Sequence, residues 1–173
     1  MASVGHVAVG MVAARLYRRG QPTRSSTTTS MMLWSGLSFL PDADVVGFAL
    51  GVAYGDPWGH RGATHSIAFS VGLGVSIGLF GAVARWPVVR TAVTASLVLV
   101  SHALLDTLTD GGLGCALLWP FDLTRYFAPW QLIPVAPIGP WFFSARGMQV
   151  ALTEIMLFAP LLLYALWPRT RRI

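Results

Sequence analysis

The chain has 173 residues, of which 54% are apolar and only 11% charged, with a mean hydropathy of +0.62, whereas a soluble domain carries roughly 25% charge. That balance excludes an ordinary water-soluble domain and makes lipid the expected solvent and partner. The formal net charge is +5 and all 12 basic residues are Arg, but they occupy a few chain positions and form no stripe interleaved with aromatics, so no nucleic-acid partner is expected.

Apolar runs extend from the first residues to the last, which reads as one domain over 1–173. The opening helix, about Ser3 to Leu16, has no basic residue before it and no small-x-small cleavage pattern after it, so it reads as a short membrane helix and not a signal peptide. Runs of roughly 20 apolar residues, the length a bilayer requires, follow at about Met31 to Val52, Thr64 to Ala84, Val88 to Leu108 and Met148 to Trp167. The expected fold is all-α, a polytopic transmembrane bundle of about four to five membrane helices.

Positively charged short loops stay cytoplasmic. Arg15, Arg18, Arg19 and Arg24 lie between the first two helices, Arg85 and Arg90 flank the Trp86-Pro87 turn, and Arg169, Arg171 and Arg172 close the chain. Together they put the N-terminus, Ala53 to Ala63 and Thr109 to Gly147 outside. The last of these segments holds Trp119, Phe121, Tyr126, Phe127, Trp130, Trp141, Phe142 and Phe143 among five prolines. It reads as an interfacial aromatic belt, or as a lid or lipid-access surface over a site. The lone Cys115 has no partner for a disulfide or a thiolate metal pair.

Ionisable groups within membrane spans mark functional sites by default. Asp42 and Asp44 fall in the second span in Leu40-Pro41-Asp42-Ala43-Asp44, where Pro41 breaks or kinks the helix. His60, Arg61 and His65 open the third span. His102 and Asp106 lie four residues apart on one helical face of the fourth, able to grip one ion. With His6 near the start of the first helix, these groups gather toward the outer half of the bundle. Imidazoles and carboxylates without thiolates suit a divalent metal, zinc first with manganese or iron as alternatives. Other readings of the same residues are a helix-packing His6, a purely structural His102–Asp106 pair, headgroup contacts at His60 and Arg61, and a proton or cation path through Asp42 and Asp44.

The motifs His60-Arg61-Gly62-Ala63-Thr64-His65-Ser66 and Ser101-His102-Ala103-Leu104-Leu105-Asp106, with His6, Leu40-Pro41-Asp42-Ala43-Asp44 and Trp119-Pro120-Phe121 around them, resemble the YdjM-like inner-membrane metal-dependent hydrolases of bacteria and archaea. That family is distantly similar to zinc-dependent phospholipases C and single-strand nucleases. The resemblance, covering roughly Gly5 to Phe121, implies His6, Asp42 or Asp44, His65, His102 and Asp106 as ligands. Those soluble enzymes complete a three-metal cluster with further residues, and this chain has no histidine after His102, so one or two ions are expected.

The reading is a metal-dependent hydrolase of the inner membrane, its site near the extracytoplasmic face, acting on a phosphoester such as a phospholipid or a lipid-linked phosphate. In it Arg61 pairs with phosphate, His60 is a general acid or a partner of a ligand, and Asp44 serves the same chemistry. The alternatives are a non-catalytic membrane scaffold and an ion or proton transporter built on the Asp/His cluster.

Overall fold

The computed structural model describes residues 2–19 and 26–168; Arg24, Arg169, Arg171 and Arg172 lie outside the described residues. Six α-helices follow in chain order: α1 (Ser3–Tyr17), α2 (Thr27–Ser38), α3 (Val46–Ala49), α4 (Ile67–Gly81), α5 (Val88–Thr107) and α6 (Ala145–Leu166), with 3-10 turns at Leu40–Val45, Ala63–His65 and Gly139–Phe143. Among the described residues there is no strand, only isolated bridges between Thr109 and Ile133 and between Cys115 and Tyr126.

Local chemistry sets the helix starts. Ser26, Ser66 and Ser144 precede α2, α4 and α6, and each hydroxyl accepts a backbone N–H in the first turn, from Thr29, Phe69 and Gly147 respectively, which satisfies one of the donors a helix leaves open. Pro87 stands just before α5, where its missing N–H costs nothing.

Two helices, α5 and α6, are long and apolar enough to cross a membrane; α4 is a shorter apolar helix. At a rise of about 1.5 Å per residue, the 15 residues of α1 and the 12 of α2 fall short of a bilayer's width. The continuous second span expected over Met31 to Val52 does not form. Helix α2 stops at Ser38 and the chain turns through Leu40–Val45, because Pro41 has no N–H to give and restricts the residue before it.

The bundle is polar inside and oily outside. Its buried apolar residues are mostly small, among them Ala8, Ala14, Ala95 and Ala103, and they share the interior with His6, Asp42, His60, Arg61, His65, His102, Asp106 and Glu154. Large side chains such as Phe80, Val89, Leu97, Met156 and Leu163 face outward, as they do where lipid replaces water. Helices α4 and α5 pack along their lengths, and α1 sits between α2, α5 and α6.

The irregular stretch from 108 to 144 folds across the end of α5. It is pinned there by Ala128 N–H to Thr107 O (2.9 Å), Ile133 N–H to Leu108 O (3.1 Å) and Asp110 N–H to Ile133 O (3.0 Å). Arg125 ties it to the loop before α4 through the carbonyls of Tyr54, Asp56 and His60.

Candidate metal centre

Four elements converge where α5 ends. Helix α5 supplies His102 and Asp106, one turn apart and fully buried. The turn after Pro41 supplies Asp42 and Asp44, the loop before α4 supplies His60, Arg61, Thr64 and His65, and α1 supplies His6.

Asp42, His65, His102 and Asp106 are spaced to hold a metal ion. The Nε2 atoms of His65 and His102 are 3.0 Å apart. Asp42 Oδ1 lies 3.5 Å from each of them, and Asp106 Oδ2 lies 3.8 Å from His65 Nε2. A tetrahedral ion with bonds of about 2.0–2.2 Å would separate its donors by about 3.3–3.6 Å, so these distances bracket such a cage. Neither oxygen of Asp42 has a hydrogen-bond partner although both are buried.

The far sides of both rings fix their tautomers. His102 Nδ1–H donates to the Ser38 carbonyl at 2.7 Å. Thr64 spends its hydroxyl proton on Asp44 (2.6 Å), so His65 Nδ1–H donates to Thr64 Oγ1 (3.1 Å) and Asp44 Oδ2 (3.2 Å). The two Nε2 atoms therefore face each other at 3.0 Å, and a proton or a cation must lie between them. Histidine ligands characteristically donate their second ring N–H to a carboxylate or backbone carbonyl. The donor set fits a divalent ion.

Asp44, His60 and His65 form a second group with suitable spacing. Its tightest contact is a hydrogen bond from His60 Nδ1–H to Asp44 Oδ1 at 2.7 Å, and Asp44 Oδ2 also accepts the Arg61 N–H at 3.2 Å. His6 stands beside the four-donor group and outside it. Its Nε2 is 3.3 Å from Asp106 Oδ1 and its ring stacks on His102 with centroids 3.9 Å apart.

Arg61 is 1% exposed and its guanidinium is engaged: Nε pairs with Asp106 Oδ2 at 3.0 Å, one NH2 group donates to Gly111 O at 2.7 Å and the other to Thr109 Oγ1 at 3.0 Å. Sequence alone offered this fork to a phosphate; in the fold it closes on Asp106 and the loop behind. Arg61 also has φ of 63°, a left-handed conformation that costs a non-glycine residue about 1–3 kcal/mol and persists where the surroundings over-determine it. Here Asp44 holds its N–H and Ala116 N–H holds its carbonyl at 3.0 Å. Gly62 completes the tight loop, since a Cβ there would lie 2.3 Å from Pro57 O.

A cavity of about 430 Å³ adjoins the cluster. Tyr54, His60 and Arg61 line its polar side, and Val135, Ile138 and Trp141 its apolar side.

One buried acid escaped the sequence reading. Glu154 in α6 is 0% exposed and accepts the N–H groups of Val4 and Gly5. The signal was present, an acidic residue within an apolar run of membrane length, and the argument applied to Asp42 and Asp106 applies equally to it.

No solved structure matches this chain. The YdjM inner membrane protein family matches residues 1–171. The inner membrane protein YbcI of Escherichia coli (strain K12) is 42% identical over 149 residues, covering 81% of this chain and 85% of that protein. With a polar, metal-competent interior inside an apolar helical shell, the chain belongs to the YdjM inner membrane protein family.

Proposed function

We propose that the protein is a multi-pass inner-membrane hydrolase that uses one or two divalent ions, zinc first, to cleave a phosphoester of a membrane lipid or a lipid-linked phosphate. The observation that carries this reading is the pair of facing Nε2 atoms of His65 and His102, 3.0 Å apart, with Asp42 and Asp106 beside them. A bound divalent ion supplies Lewis acidity and makes water a nucleophile near neutral pH.

The chain's own residues do the rest. His65, His102, Asp42 and Asp106 provide the donors. Asp44 orients the His65 and His60 rings, and Arg61 fixes Asp106 through Nε. His60 borders the cavity, and its Nδ1–H is held by Asp44. That leaves Nε2 to take a proton from water or deliver one to the departing alkoxide, the role a carboxylate-oriented histidine performs. The apolar wall of Val135, Ile138 and Trp141 suits the hydrocarbon part of an amphipathic substrate.

An outward-facing site is supported by the way the bundle sorts its charges. At the end away from the cluster, Arg15 binds the carbonyls of Ala165 and Trp167, and Arg90 binds those of Leu16 and Arg19. Arg15 and Arg90 thus mark one end, a placement that favours the cytoplasm, while the Asp/His cluster, with Arg61 and Arg125 beside it, lies at the other. In this reading α4, α1 and α2 complete the membrane domain around α5 and α6.

The test is turnover of bis-p-nitrophenyl phosphate and of phospholipid in mixed micelles by detergent-purified protein. Turnover that a chelator abolishes, zinc restores and His60→Ala lowers supports the hydrolase. Metal uptake without turnover of either substrate supports the scaffold reading instead, in which the ion joins the helices.

A further inference from the structure

The start of α1 has no capping side chain of its own, although a helix leaves its first N–H groups without internal partners and burial makes that costly. Two carboxylates from other helices fill the role. Glu154 Oε2 on α6 accepts Val4 N–H at 2.6 Å and Gly5 N–H at 3.1 Å, and Asp106 Oδ1 on α5 accepts Ala2 N–H at 3.2 Å. Both lie where a helix N-terminus favours negative charge. One turn along α6 from Glu154, Phe158 packs against Gly5, where a Cβ would stand 2.7 Å from the ring.

This docking decides how Asp106 is used. Its Oδ1 takes the N–H of Ala2, the residue before α1, and faces His6 Nε2 from α1, while its Oδ2 faces Arg61 Nε and His65 Nε2. One oxygen is held by α1 and the other is turned to the cluster. If α1 drifts, that division is lost.

We infer that Glu154 is a positioning residue: by anchoring the first turn of α1 it sets the orientation of Asp106, and through it the metal centre. The inference rests on the metal reading above, so its experiment has one arm that needs no metal. Hydrogen exchange of the peptide covering residues 2–10, measured on metal-free protein in detergent, reports the anchor; competition with a chromophoric chelator reports zinc affinity. In Glu154→Ala, the α1 peptide exchanges faster and zinc binding weakens on the order of 10- to 100-fold, as for other residues that orient a ligand. In Glu154→Gln, whose amide oxygen can accept the same two N–H groups, both readouts return toward wild type, which also answers the case of an Ala variant that folds poorly. A Glu154→Ala protein that matches wild type in both arms overturns the inference, as does a folded Glu154→Gln protein that fails as fully as Ala. Wild type that takes up no zinc, with α1 loosened in Glu154→Ala, supports the anchor and overturns the metal reading.

Discussion

The carbonyl of Ser38, the last residue of α2, accepts the Nδ1–H of His102 at 2.7 Å. In an uninterrupted helix that carbonyl would accept the N–H of Asp42, four residues on. Because the chain tightens at Pro41, Asp42 N–H binds Phe39 O at 3.0 Å instead, and the Ser38 carbonyl is released to orient a histidine. The helix break and the ligand geometry are one feature.

Pro41→Ala therefore has a defined consequence. Given an N–H and ordinary backbone freedom, α2 can extend and recapture the Ser38 carbonyl, leaving the His102 ring without its anchor. Zinc affinity is expected to fall about 10- to 100-fold, read by chelator competition, while helix content by circular dichroism stays level or rises.

Asp44 gathers donors from His60, Arg61, Thr64 and His65. Asp44→Asn replaces one acceptor oxygen with an NH2 group that faces donors. The expected loss is about 1–3 kcal/mol, the scale of leaving a buried hydrogen-bonding group unmatched. It should appear as a lower thermal midpoint in chelator-treated protein, so that the effect on folding is separated from the effect on metal.

Cys115 is buried in the loop after α5, and burial pushes its thiol up to about 12. The thiolate is the reactive form, so at pH 8 the folded protein should resist maleimide and react only after denaturation. Prompt labelling of the folded protein would contradict the packing of Cys115 against its bridge partner Tyr126.

A silent native thiol permits a topology test. Gln131→Cys lies exposed in the loop after α5 and Ala84→Cys in the exposed turn before α5. In intact cells with the outer membrane permeabilised, a membrane-impermeant maleimide is expected to label the first and not the second. The reverse pattern would place the cluster at the cytoplasmic face.

Helices α5 and α6 were readable from sequence nearly to their ends, since uninterrupted apolar runs of membrane length leave little choice of structure. Asp42, His65, His102 and Asp106, which the fold brings together, also stood out in the sequence, because charge inside such runs demands a reason. Three things were not legible. The second run was apolar enough to pass as a span although Pro41 ends its helix, and hydropathy does not register a missing N–H. The left-handed backbone of Arg61 and its contacts with Asp106, Thr109 and Gly111 were not legible either, since those partners lie in chain segments remote in sequence. The loop from 109 to 144 leaves both Phe121 and Trp141 largely exposed, at 91% and 74%, yet Trp141 alone of the two also lines the cavity, a role that depends on the tertiary path of the loop.

The most direct test of the account is metal content by mass spectrometry of the detergent-purified protein, wild type beside a His102→Ala, Asp106→Ala double variant. The account predicts stoichiometric zinc, manganese or iron in wild type and its loss from the variant, with helix content retained. Metal absent from wild type even after reconstitution, or equal in both proteins, would contradict it.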